Sequence, residues 1–331
     1  MLVSFIIPAY NASATILRCL DSIYALPVEE LTFEAIVIDD CSSDNTVELI
    51  KQYAKHHSNL ILLCQPENHR QGAARNRGIA IAKGKYIVFV DSDDETAKGV
   101  IAAVHMAEEK DLDMVAMRCV AVGKEGNIDR EVSLPYNRDI VYTGMEMQSD
   151  FPFWGTAPWH YVFSKTFMED VNYPYAEDVF YEDSDFVNTH LFYAKQMSYC
   201  DECGYVVHYN EASTTHVMSS KHLSDYALLG TRLLDFYESL DDKTTKYAEG
   251  ILEGGSYNIM KAFRKLPLLK SRLNVCGFYD RFDALYDRKQ LLSYREPAYC
   301  WTKWTRFCLK HRMLATWFIA LIISFPNMKT K

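Results

Sequence analysis

Tyr86-Ile87-Val88-Phe89-Val90 runs straight into Asp91-Ser92-Asp93-Asp94. Five β-branched or aromatic residues with no polar alternation predict a strand buried on both faces, as in a parallel sheet covered by helices. The strand ends on clustered carboxylates. Like charges repel, so such crowding is costly unless a cation or several donors sit beside it. In open parallel sheets ligands bind outside the carboxyl ends of the strands, which is where this cluster falls. Two carboxylates at i and i+2 can offer oxygens to one hard divalent cation, Mg²⁺ or Mn²⁺, while a bound diphosphate offers others. The plainer alternative is a strand-ending turn in which Asp94 caps the next helix.

Upstream, the same alternation recurs. Val3 to Pro8, Phe33 to Ile38 and Leu60 to Leu63 read as strands. Ser13 to Ala25, Thr46 to His57, Ala73 to Ala82 and Val100 to Lys110 read as helices. This predicts an α/β chain with a Rossmann-like, mostly parallel sheet and helices on both faces. The residues after the first two strands are Pro8-Ala9-Tyr10-Asn11 and Asp39-Asp40-Cys41-Ser42-Ser43-Asp44. A carboxylate in the second run can accept the imide N–H of a uracil. The run also suits a solvated turn, with Ser43 or Asp44 capping the helix near Thr46. No Gly-x-Gly-x-x-Gly follows the first strand and no Gly-x-x-x-x-Gly-Lys-Ser/Thr occurs, which disfavours dinucleotide dehydrogenases and P-loop NTPases.

Beyond residue 110 the pattern loosens. Met114 to Val122 suggests a strand, Glu182 to Tyr193 a helix and Gln196 to Tyr209 a β-like stretch. Residues 123–160 lack periodicity, and from about Lys221 the chain reads as helices. The expected division is 1–110 and 111–220 as two halves of one α/β domain, with 221–331 a helical C-terminal extension.

Four ordered segments carry a resemblance: Ser4 to Asn11, Ile36 to Thr46, Gly72-Ala73-Ala74-Arg75-Asn76-Arg77-Gly78-Ile79 and Tyr86 to Asp94. Together they resemble a family 2 glycosyltransferase of GT-A fold. The resemblance implies that Pro8, Ala9 and Tyr10, with Asn11 beside them, wrap a nucleobase that Asp39 pairs with, Asp40 lying next to it. It puts Arg75 near the diphosphate, Asp91 at the ribose or metal with Ser92 beside it at the nucleotide, and Asp93 on the metal. Phe180-Tyr181-Glu182-Asp183-Ser184-Asp185-Phe186 is similar to the family's Glu-Asp-x-x-Phe motif, which makes Asp183 the general base beside Glu182. An acidic helix start, favoured by the helix dipole, is the bland reading of the same residues. Trp159 falls in the acceptor region, where stacking on a sugar and ordinary core packing are both open. His216 is a candidate metal or diphosphate ligand, and His208 reads as structural. Two departures stand out: Cys41 where the family usually has Gly, and Asn210 where Arg is commoner.

The expected reaction is an inverting transfer of a sugar from a nucleotide diphosphate, with UDP favoured, to a glycan or lipid-linked acceptor, as in surface-polysaccharide assembly. A silent nucleotide-sugar-binding or scaffold protein is the alternative from another class. A nucleotidyltransferase fits the strand-one motif poorly.

Composition sets bounds on partners. The net charge of −9 argues against a nucleic-acid binder. The first residues lack a basic n-region and run into a strand, unlike a signal peptide; with nine scattered cysteines this favours a reducing cytosol. Cys200-x-x-Cys203 has no second pair and reads as two reduced thiols rather than half a zinc site. Residues 295–331 carry seven Lys or Arg against one Glu, net +6. The basic, Trp-containing stretch 299–326 predicts an interfacial helix and peripheral residence on the inner face of the cell membrane. A terminal helix packed on the protein body is the competing picture.

Overall fold

The computed structural model describes residues 2–27, 31–150, 157–211, 218–243, 245–285, 291 and 303–324. Two compact units divide the chain, Met1–Glu211 and Ala212–Lys331. In the first, β1 (Leu2–Ala9), α1 (Ile16–Tyr24), β2 (Thr32–Asp39), α2 (Thr46–Ala54), β3 (Leu60–Cys64), α3 (Arg70–Ile81), β4 (Tyr86–Phe89), β5 (Glu95–Thr96) and α4 (Gly99–Lys110) follow in order. Then come β6 (Met114–Val122), β7 (Ile128–Val132), α5 (Gly144–Asp150), β8 (Tyr161–Ser164), α6 (Lys165–Val171), α7 (Asp183–Tyr193) and β9 (Met197–His208).

These nine strands form one sheet in the order β3-β2-β1-β4-β8-β6-β9-β5, with β7 on β6. The expected parallel pairing holds through β3-β2-β1-β4. Beyond β4 the sheet is mixed: β8 runs antiparallel to both β4 and β6, and β5 antiparallel to β9, while β9 is parallel to β6. The chain departs from β1 towards β2 and β3, then returns to its other side with β4. That reversal opens a crevice at the carboxyl edge between neighbouring parallel strands.

Alternation along β1 explains why the sheet needs helices on both sides. Val3, Phe5 and Ile7 pack in one apolar cluster with Ile16, Leu20 and Ile23 of α1 and with Val100 and Val104 of α4. Ile6 points the other way, into a cluster with Ala74 of α3 and Phe186 and Val187 of α7. Each such fully buried side chain contributes roughly 1.5–3 kcal/mol by leaving water. The Cys-x-x-Cys spacing has a local cause. Met117 pairs with Cys200 and Arg118 with Cys203, so Asp201 and Glu202 bulge out of β9.

The second unit is helical: α8 (Ser220–Ser239), α9 (Lys246–Lys265), α10 (Arg272–Leu285), α11 (Lys303–Lys310) and α12 (Arg312–Ser324). Ser219 and Thr245 cap α8 and α9 through their hydroxyls. Gly230 and Gly255 let these two helices touch. A Cβ on either would come within 2.6–2.8 Å of the other's carbonyl oxygen. Phe263, Phe278 and Phe282 form the aromatic core between α9 and α10.

Candidate active site

The register Ala9↔Asp39 aligns the ends of β1 and β2 at the carboxyl edge. Asp39 is buried; its Oδ2 accepts the Ser42 amide at 3.0 Å, and its Oδ1 has no hydrogen-bond partner among the described residues. A buried acceptor left unpaired is costly, and an incoming N–H would relieve it. Pro8 and Ala9 close the strand beside it, and Tyr10 is 53% exposed. Asn11 ties the two loops together: its amide donates to Ser42 Oγ and its Oδ1 accepts the Ser43 amide.

Asp40 is differently employed. Its Oδ1 accepts Gln65 Nε2 at 2.6 Å and the His69 amide at 2.8 Å, which pins the start of α3 to β2. Cys41 sits at φ 63°, the left-handed region that costs a Cβ-bearing residue free energy. The Gly usual in the resembled family is therefore a backbone requirement that this chain meets under strain. Asp44 takes the Thr46 amide and hydroxyl and the Ser13 amide. Burial pushes against its charge, but the bonds from Thr46 and Ser13 win and hold it at about 2. The boundary residue of α2 is Asn45, so Asp44 performs the capping from one position earlier.

At the end of β4 three carboxylates lie close enough to raise one another's proton affinity. Asp91 Oδ1 pairs with Arg75 at 2.9 Å. Burial raises the Asp91 pKa, Arg75 opposes it and Asp93 adds to it. Ser92 and Asp93 are part-exposed; Asp93 Oδ2 accepts Asn210 Nδ2 at 2.7 Å, and its carbonyl accepts Arg18 of α1. Asp94 does not cap a helix: α4 begins at Gly99, after Lys98, with no side-chain cap. Its carboxylate instead accepts the Tyr205 hydroxyl at 2.9 Å and the His208 amide at 2.8 Å, fastening the acidic loop to β9. Burial, with Asp91 and Asp93 adding, pushes Asp94 up to about 8.

Tyr205 is the hub that sequence reasoning missed. Its oxygen also accepts the Asp91 amide, and its ring stacks on Trp159 at 4.6 Å. One face of Trp159 is thus occupied by packing that orients the acidic loop. His208 pairs with Glu95 at 2.7 Å, in keeping with a structural role. His216 lies outside the described residues.

A divalent cation can be tested against these donors. Among the described residues no group of three or more His, Cys, Asp or Glu is placed to hold a metal. Asp91 Oδ2 and Asp93 Oδ1 have no hydrogen bond among the described residues, since the bonds made by these carboxylates use the other oxygens. Two open carboxylate oxygens fit the habit of Mg²⁺ and Mn²⁺ of binding one or two carboxylates and taking remaining ligands from substrate phosphates and water.

The third element comes from far along the chain. Arg75, 2% exposed, reaches from Asp91 to Glu182 Oε1 at 2.5 Å. The resemblance set this guanidinium at a diphosphate; in the structure it bridges two carboxylates. Gly72 makes that approach feasible, since a Cβ there would lie 2.2 Å from the Ala176 carbonyl oxygen. Asn76 adds a bond from its amide to the Tyr175 carbonyl, and Tyr175 stacks on Phe186 at 3.6 Å. Asp183 starts α7 next to Glu182. Burial first, then the Glu182 charge, raise its pKa well above the ordinary carboxylate range, with Arg75 opposing. Asp39, Asp91, Asp93 and Asp183 are therefore placed by elements whose ends converge through α3. No local signal announced the bonds that Tyr205, Arg18 and Asn210 make, because each acts on residues more than 70 positions away; Asn210 stood out only as a departure from the resembled family.

A family model described as glycosyl transferase family 2 matches residues 4–169. The uncharacterized glycosyltransferase YibD of Escherichia coli (strain K12) is 30% identical over 258 residues, 74% of this chain and 74% of that one. The succinoglycan biosynthesis protein ExoO of Rhizobium meliloti (strain 1021) is 28% identical over 251 residues, 70% of this chain and 69% of its own. Among solved structures, S. aureus TarS 1-349 in complex with UDP-GlcNAc aligns with a TM-score of 0.63 at 20% identity, covering 89% of this chain and 93% of that one. At that identity the likeness speaks for the fold alone.

Proposed function

The chain belongs to glycosyl transferase family 2, and on that premise we propose that it moves a sugar from a nucleotide diphosphate, by preference UDP, to a hydroxyl of a glycan or lipid-linked glycan with inversion. The Arg75 bridge carries this reading. One guanidinium joins Asp91, on the donor side, to Glu182, the neighbour of Asp183. Donor and base are thereby brought into one site.

The roles follow from the groups present. Asp39 Oδ1 accepts the uracil imide N–H, with Pro8, Ala9 and Tyr10 around the base. Asp93 and Asp91 would hold a divalent cation, Mn²⁺ or Mg²⁺, which when bound supplies positive charge to the leaving diphosphate. Asp183 takes the proton from the acceptor hydroxyl as its oxygen attacks the anomeric carbon; the bond from that carbon to the diphosphate oxygen breaks on the opposite face. A raised pKa makes Asp183 the stronger proton acceptor once ionised. Trp159 borders the acceptor side, Ser92 faces the nucleotide, and Asn11 and Asp40 hold the loops around the donor. The similarity to a succinoglycan biosynthesis protein supports an acceptor in surface-polysaccharide assembly. The basic C-terminal segment supports peripheral residence on the inner membrane face, and the alternative is a silent nucleotide-sugar binder.

Asp183→Asn separates these readings. Transfer should fall about 10²- to 10⁴-fold, while donor binding followed by thermal shift stays intact. In the wild type the acid side of the rate profile should lie above the usual carboxylate range, because Asp183 must lose its proton and holds it tightly. Normal transfer by the variant removes the base; donor binding without turnover in the wild type, across varied acceptors, makes the protein a binder.

A further inference from the structure

The sequence placed membrane contact in residues 299–326 alone. The structure gives α12 two faces. Ala315, Thr316 and Ile319 are buried in the helical unit, and Arg312 bonds to Asp280 and Asp283 of α10. The opposite face carries Met313, Leu314, Trp317, Phe318 and Leu321, each more than half exposed. These positions, i, i+1, i+4, i+5 and i+8, form one stripe. A helix of 13 residues is about 20 Å long, short of the roughly 30 Å hydrocarbon layer. No single described helix is long and apolar enough to cross a membrane, and α11 and α12 meet at a 118° bend.

The stripe does not end with the helix. Arg272, at the start of α10, lies over the Trp317 ring at 5.0 Å. Its neighbour Leu273 is 82% exposed, and Leu268, in the short 266–268 turn that touches α12, is 60% exposed. On the other flank Trp304 of α11 contacts Phe318 at 5.2 Å. The segments that build this surface also carry exposed cations, Lys270 and Arg272 on one and Lys303 and Lys310 on α11. Asp280 and Asp283, the acidic groups of α10 beside it, share Arg312.

We infer that α12, the Leu268–Leu273 turn and Trp304 form a single monotopic docking surface for an anionic lipid bilayer, with α12 lying in the membrane plane. Apolar side chains from two separate segments enter the acyl–headgroup boundary while the Lys and Arg side chains on these segments meet anionic headgroups. This rests on the membrane reading above and extends it to a second segment. Charge complementarity selects the occupant, since Lys270, Arg272, Lys303 and Lys310 on these segments outnumber Asp280 and Asp283, and a second copy of such a face would be repelled.

Flotation of the purified full chain tests it, using phosphatidylcholine vesicles with and without an equimolar share of phosphatidylglycerol. The wild type should float with the anionic vesicles and be released several-fold by high salt. Leu268→Asp/Leu273→Asp should float at least ten-fold less, with unchanged donor-induced thermal shift showing intact folding. If this variant floats as well as the wild type while Trp317→Ser/Phe318→Ser does not, peripheral association stands and the composite surface is wrong. Equal binding to both vesicle types removes the anionic partner. A wild type that floats with neither, yet sediments as a dimer that Leu273→Asp dissociates, assigns the face to self-association and ends both readings.

Discussion

At the end of β2 the carboxylates of Asp39, Asp40 and Asp44 meet amides and a hydroxyl, and a single buried oxygen is left over. At the end of β4 Asp94 takes the Tyr205 hydroxyl and the His208 amide and Asp93 takes the Asn210 side-chain amide, yet the three charges crowd one another, and Asp91 and Asp93 each keep an oxygen with no hydrogen bond among the described residues. The residue types are the same, and the proton affinities diverge: Asp44 is held at about 2, Asp94 at about 8. Donors settle charge at the first end, so it suits recognition of a neutral, hydrogen-bonding base. Unsettled charge at the second end suits a cation. At the first end Asp40 and Asp44 are structural and Asp39 keeps the open oxygen; at the second Asp94 is structural and Asp91 and Asp93 keep the open oxygens.

Substitutions can break that contrast. Asp93→Asn should cost the most: losing charge stabilisation of several kcal/mol lowers kcat about 10²-fold or more, even at saturating Mn²⁺. Steady-state rates across a Mn²⁺ series check it, and a full-rate variant would make the β4 end no more chemical than the β2 end. Asp39→Asn should raise the donor KM about ten-fold through one charged hydrogen bond and leave kcat almost unchanged. A fall in kcat there would dissolve the distinction. Cys41→Gly should have the smallest effect, a net gain of about 0.5–1 kcal/mol, because the left-handed backbone no longer opposes a Cβ while glycine's extra unfolded-state freedom offsets part of the relief. The midpoint of chemical denaturation measures it, and no change would mean the turn bears little strain.

The first half of the sheet was legible because buried parallel strands are continuous apolar runs, and β1 to β4 fall where Val3, Phe33, Leu60 and Tyr86 put them. The second half was not. β5 has two residues, Glu95 and Thr96, and β7 is the polar, exposed Ile-Asp-Arg-Glu-Val. Such strands exist through their neighbours rather than through their own pattern. The same holds for the site. Asp39, Asp91, Asp93 and Asp183 stand in recognisable strings, whereas the restraint of Asp40 by Gln65 and of Asp94 by Tyr205 is written in pairings 25 and 111 positions apart.

The bridge from Arg75 to Glu182 spans 107 residues. Contacts across such a separation carry a loop-closure entropy that neighbouring strands do not, so they form late. During synthesis β1 to β4 can pair while α7 is still inside the ribosome. On the proposed roles, a chain cut short before Asp183 lacks the proton acceptor. Turnover would then wait on the contact that closes last, so that an unfinished chain cannot consume a donor.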